Sequence, residues 1–142
     1  MSAIREQILA WVEAAHAALP SQPEVERDPS GDPGRYPHYA IIDGGQDVIE
    51  GEAGTIRYAM ALKIEGYVQG GDGAVASAAR SDLYAASIGI MMAEPPIGGL
   101  AETVEEGRLV CATAELASQR RLGFVLDFTI QYATRRGDPA QL

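Results

Sequence analysis

Several of the residue types on which enzymes and binding proteins most often depend are scarce in this chain. Among its 142 residues there is one cysteine, two histidines and only nine aromatics (Trp 1, Tyr 6, Phe 2). A single Cys111 excludes an internal disulfide and any multi-cysteine zinc site. Set between Val110 and Ala112 in an apolar run, it is expected to be a small buried hydrophobe. His16 falls on the polar side of a predicted helix and is expected to be solvated; His38 opens a predicted strand. Neither has a cysteine or a Gly-x-Ser-x-Gly nearby, so no triad or nucleophile elbow is legible. His-Glu-x-x-His and EF-hand spacings are missing too. No apolar run approaches the ~20 residues of a bilayer span. The opening Met1-Ser2-Ala3-Ile4-Arg5-Glu6 lacks secretory form, so synthesis in a cytoplasm is expected.

Positive charge is also thin. Eleven bases face twenty acids, for a formal charge of −9, and Lys63 is the sole lysine. Phosphate neutralisation needs clustered Lys and Arg, so gripping nucleic acid through its backbone is disfavoured. Between Arg35 and Arg57 no base occurs, whereas Asp43, Asp47, Glu50 and Glu52 do. These four could hold a divalent cation only weakly, and a solvated loop is the default reading. No cofactor and no metal site is expected.

What is present is a pattern of helix and strand periods. Residues 2–19 carry Ile4, Ile8, Trp11, Val12, Ala15 and Leu19 at three- and four-residue spacing, which predicts an amphipathic helix capped by Ser2 and stopped by Pro20. A short strand is expected at residues 24–27. Residues 28–37 hold three prolines and two glycines and read as loop. A strand over residues 38–43 follows, closed by Gly44-Gly45. The stretch 44–54, with four glycines, reads as a long polar connection rather than a tight hairpin.

Residues 55–69 alternate most clearly. Ile56, Tyr58, Met60, Leu62, Ile64 and Val68 share one face, and Arg57, Lys63, Glu65, Tyr67 and Gln69 the other. Such alternation argues an antiparallel sheet covered on one side. Asp72 is placed to cap a second helix running to about residue 93, with Val75, Ala79, Leu83, Ala86 and Ile90 toward the sheet. Within it, Gly71-Asp72-Gly73-Ala74-Val75-Ala76 matches the dinucleotide fingerprint. That fingerprint works in a βαβ unit with buried parallel strands, which the preceding alternation contradicts. The glycines are read as a turn. Strands at residues 103–116, bent at Gly107, and 122–134 complete the chain, with 135–142 a polar tail. The expected fold is one α+β domain over residues 1–142. It has a mostly antiparallel sheet of about four to five strands and two helices packed on one face.

The order of these elements resembles the tail terminator and tail completion proteins of long-tailed phages, including those of gene transfer agents and prophages. The resemblance rests on Leu19-Pro20, Val25-Glu26-Arg27, Asp43-Gly44 and the strand from Tyr58 to Val68. It rests further on Pro95-Pro96-Ile97-Gly98-Gly99-Leu100-Ala101 and on Phe128-Thr129-Ile130-Gln131-Tyr132-Ala133-Thr134 with its trailing Asp138-Pro139. It implies a non-enzymatic virion protein at the head-proximal end of the tail. There a homohexameric ring would stop tube growth, bound to the tail tube protein below and the head-tail stopper or connector above. DNA would pass through without specific binding, and there would be no membrane partner. On this expectation Asp47, Glu50 and Glu52 form a lumen or ring-contact loop, the alternative being an external loop. Arg57, Lys63, Glu65 and Tyr67 form a subunit-interface strand face, the alternative being plain solvent exposure. Two rivals stand beside it: another neck component, such as a stopper or adaptor, and a small host ligand-binding or chaperone-like α+β domain.

Overall fold

The computed structural model describes residues 2–116 and 119–142, with side chains 114–120 left aside. The fold is α+β: a five-stranded, mostly antiparallel sheet with two helices packed on one face. In chain order the elements are α1 (Ile4–Ala17), β1 (Glu24–Arg27), β2 (His38–Glu52), β3 (Thr55–Gln69), α2 (Gly73–Met91), a short 3₁₀ turn (Pro96–Gly99), β4 (Thr103–Leu116) and β5 (Gln119–Arg135). Across the sheet the order is β1-β2-β3-β5-β4, and only β1 and β2 run parallel.

Alternation decides which face is covered. Met60, Leu62 and Ile64 of β3 lie beside Ile130, Phe128 and Leu126 of β5 in register, and all six are buried under the helices. Burying an aliphatic or Phe side chain of this kind is worth about 1.5–3 kcal/mol. The next cross-strand row reads Tyr39-Gly66-Phe124, a residue without a side chain between two aromatics. Phe124 lies over Gly66, while Tyr67 on the opposite face lies over Gly123.

Helix α1 buries Ile4, Ile8 and Val12 as expected, and also Leu9 and His16. It is wedged between the sheet, α2 and the 3₁₀ turn, so more than one stripe is covered. His16 is therefore not solvated. Its Nδ1 is 2.8 Å from the Val12 carbonyl and its Nε2 2.9 Å from Ser87 Oγ, and burial lowers its pKa. Ser2 does not cap the helix; Ala3 stands at the N-cap without a side-chain bond. The Ile4 amide instead donates to the Pro139 carbonyl at 2.8 Å. The 135–142 segment is thus docked by backbone bonds to α1 and to Gly54.

Asp72 caps α2, its Oδ1 accepting from the Val75 amide at 2.9 Å. The buried stripe, however, is Ala76, Leu83, Ser87 and Met91. Of the expected positions Leu83 is buried, and Val75 is exposed. An alanine-rich helix offers several nearly equivalent stripes, and packing on α1 and the sheet chooses among them.

The largest departure is at residues 44–54. No long loop forms there. β2 runs on through Glu52, and a two-residue turn, Ala53-Gly54, returns the chain into β3. Two register shifts, between Asp43 and Gln46 and between Val48 and Glu50, absorb the irregular pattern. Gly45 takes φ +85 at the first of them, a conformation that strains residues bearing a Cβ. The expected bend of β4 at Gly107 is present as a register shift between Glu106 and Leu109. Cys111, by contrast, is exposed. β4 is an edge strand overhanging the helices, and residues 105–113 are exposed along their length.

Candidate assembly surfaces

The face of the sheet opposite the helices carries both groups of residues that the sequence singled out. Asp47 pairs with Ala59, Glu50 with Arg57 and Glu52 with Thr55. Directly paired residues share a face, so the acidic residues of the ribbon continue the face of Arg57, Lys63, Glu65 and Tyr67. The register shifts bring this about, and no sequence period announces them.

Ion pairs pattern this face. Arg57 holds Glu102 through two bonds, Nε to Oε1 at 2.6 Å and Nη2 to Oε2 at 3.0 Å, and reaches Glu50 at 3.0 Å. Its pKa is raised, chiefly by the hydrogen bond to Glu102. The pairs are solvent-accessible and orient side chains more than they stabilise. Lys63 stands opposite Asp127, whose Oδ1 is buried without a hydrogen-bond partner. The Tyr67 hydroxyl donates to Glu65 at 2.5 Å, and the Arg121 guanidinium lies 5.6 Å from its ring centre. Burial, helped by Glu65, pushes the Tyr67 phenol up to about 12.

Large apolar side chains are exposed on two outlying stretches of the sheet. Leu109 and Val110 of the β4 edge are 39% and 43% exposed, and Val48 and Ile49 on the ribbon are 62% and 46% exposed. The outer edge of β2 beyond Ile41 has no partner strand among the described residues, because β1 is only four residues long. Unpaired edges of this kind are templates for further pairing.

One side-chain cluster went unseen in the sequence. His38 is buried, with Nδ1 2.8 Å from Glu24 and Nε2 3.7 Å from Glu26. Ligand atoms of all three residues lie within 4.8 Å of one another. The parallel pairing of β1 with β2 places Glu24 beside His38, and a strand that short gives almost no pattern to read. In this arrangement the two carboxylates face different ring nitrogens, Glu24 at Nδ1 and Glu26 at Nε2. Glu24 is further engaged by the Gly34 amide at 2.9 Å, which holds its carboxyl below the usual range. The cluster ties the 28–37 loop and β1 to the sheet.

At the far end of β3, α2, the end of α1 and Tyr36-Pro37 enclose a groove of about 500 Å³. Its walls are mainly apolar, including Leu19, Pro37, Val68, Leu83 and Ala86, and Asp82 is the carboxylate among them. No helix of the described residues is long and apolar enough to cross a membrane.

No protein-family model matches the chain, and no curated protein matches it. Among solved structures, the chain is similar to a chain of the virion of a native gene transfer agent particle. The identity is 18%, over 91% of this chain and 92% of that one, with a TM-score of 0.45.

Proposed function

We propose that this protein is a non-enzymatic structural component of a tailed phage or gene transfer agent particle, forming the ring that ends the tail tube and joins it to the head-side connector. The observation that carries this reading is the amount of unpartnered sheet. One face, a 14-residue edge strand and a ribbon with exposed Val48 and Ile49 are left uncovered among the described residues of the single chain. Apolar edges and faces left open are interaction surfaces or aggregation hazards, and a ring of identical chains covers them. The resemblance of the element order to tail terminators supports the same reading. Acidic groups at Asp47, Glu50 and Glu52, turned toward a channel, would keep passing DNA mobile by like-charge repulsion.

A second reading, a small ligand-binding domain, is favoured by the 500 Å³ groove, which is of ligand-pocket size. Its lining has few convergent polar groups to orient a ligand. Electron microscopy of particles assembled without this gene separates the possibilities. Overlong, headless tubes are the expected result. Normal tails that fail to join filled heads would move the protein to a stopper or adaptor position. Intact infectious particles would overturn a structural role.

A further inference from the structure

The parallel pairing of β1 with β2 sets two cross-strand rows on the face away from the helices, Glu24-His38-Tyr67 and Glu26-Ala40-Glu65. Residues two apart along a strand share a face, so His38 has Glu24 beside it and Glu26 one row on. The 28–37 loop lies over these rows. A hollow of about 190 Å³ separates loop residues such as Asp32 from the small side chain of Ala40. His38 borders that hollow and is only 1% exposed.

The hydrogen bonds of His38 decide which ring nitrogen is available. An ionised carboxylate only accepts, so the 2.8 Å contact with Glu24 makes Nδ1 the donor. The Gly34 amide donates to the same Glu24 oxygen at 2.9 Å and holds that carboxylate in place. In a neutral imidazole, a proton on Nδ1 leaves Nε2 with a lone pair. That lone pair faces Glu26 Oε1 at 3.7 Å, beyond hydrogen-bond distance, so two electron-rich atoms confront each other. Donors held about 2.0–2.2 Å from one tetrahedral ion stand about 3.3–3.6 Å apart, close to this separation. We infer that His38 Nε2 and Glu26 bind a divalent ion of the zinc type, with Glu24 as the carboxylate that orients the imidazole. A carboxylate on the far nitrogen of a metal-bound histidine fixes its tautomer and raises its basicity. An imidazole ligand favours zinc, copper or nickel over calcium and magnesium, which take oxygen. Water from the hollow completes the coordination. Glu24, Glu26 and Glu65 make the surroundings acidic, while the nearby Arg121 is paired with Asp32 at 3.7 Å. The ion would staple β1, a strand of four residues, to the sheet. The site lies within one chain and is independent of the ring reading above.

Calorimetric titration of the chelator-stripped full chain with Zn²⁺ at about pH 7.5, where imidazole is neutral, tests the site. Cys111 is replaced by Ser throughout, so that its exposed thiol takes no metal. His16 does not compete, because both its ring nitrogens are engaged inside the core. Saturable uptake of one equivalent in the micromolar range is expected, and the thermal midpoint should rise as Zn²⁺ is added. The Glu26 side chain is 43% exposed, so Glu26→Gln removes a ligand without disturbing the core and should weaken binding at least about tenfold. Glu24→Gln should cost about 10–100-fold through the orientation of the ring. His38→Gln should abolish uptake; where that buried substitution unfolds the chain, Glu26→Gln carries the test. Asp47→Asn, on the β2–β3 ribbon, is the control and should bind as the parent does. Nitrogen NMR of the imidazole should show Zn²⁺ moving the Nε2 resonance of His38 and leaving Nδ1 protonated. Lack of saturable uptake would overturn the site and leave a second proton as what joins Nε2 to Glu26. Parental affinity in Glu26→Gln, loss of binding in Asp47→Asn, or metal on Nδ1 would overturn it equally.

Discussion

Gly66 is the position at which the packing is most exacting. A Cβ added there would lie 2.2 Å from Phe124 Cε2, 2.4 Å from its Cζ and 3.0 Å from Leu83 Cδ2. Carbon atoms in contact rest at about 3.5–4.0 Å, so Gly66→Ala requires the ring to retreat by more than about 1 Å. It has nowhere to go. Phe124 is 1% exposed and meets Tyr84 edge-on, with ring centres 6.2 Å apart. Overpacking of a filled core costs about 1–3 kcal/mol, and this case belongs at the upper end. Against it stands the gain of about 0.5–1 kcal/mol from replacing glycine within a strand. The net expectation is a loss of about 2 kcal/mol, or roughly 4–8 °C in Tm for a domain of this size. Urea denaturation gives the free energy directly, and a double-mutant cycle with Phe124→Leu tests the cause. If the ring is the obstacle, the second substitution recovers about 1–2 kcal/mol of coupling. A Gly66→Ala protein within about 0.5 kcal/mol of wild type, or a cycle without coupling, would refute the argument. Gly89→Ala, where nothing lies within 4 Å of the added carbon, is the control and should stabilise by up to about 1 kcal/mol.

Two further outcomes follow from the packing. His16 is buried with a lowered pKa, so above its ordinary value of 6.5 both folded and unfolded chains carry it neutral. Below that value only the unfolded chain takes up the proton, and stability falls with pH. Urea midpoints measured from about pH 7 to about pH 5 should show a steeper loss for wild type than for His16→Gln, and equal slopes would refute the assignment. Cys111 is exposed on the β4 edge, so a thiol reagent should modify the native monomer at a rate approaching that of the unfolded chain; protection until unfolding would place it in the core after all.

The sequence by itself determined the class of the fold and most of its elements. β3 and the buried face of β5 were legible because strict alternation over a dozen residues admits only one pleat. Asp72 before an alanine-rich run marked the start of α2, and Gly107 marked the bend of β4. Tertiary structure alone decided the rest. Residues 44–54 looked like a loop because their apolar residues do not alternate, and two register shifts restored the pairing that no single-strand pattern encodes. Cys111 sits in an apolar run that usually means core, but β4 overhangs the helices and leaves it in water. His16 lies on a helix side that would be polar in isolation, until α2 brings Ser87 over it. His38 met Glu24 and Glu26 only through a four-residue parallel strand, too short to show a period. In each case the deciding quantity is which neighbour covers a residue, and that belongs to the packing of several elements at once.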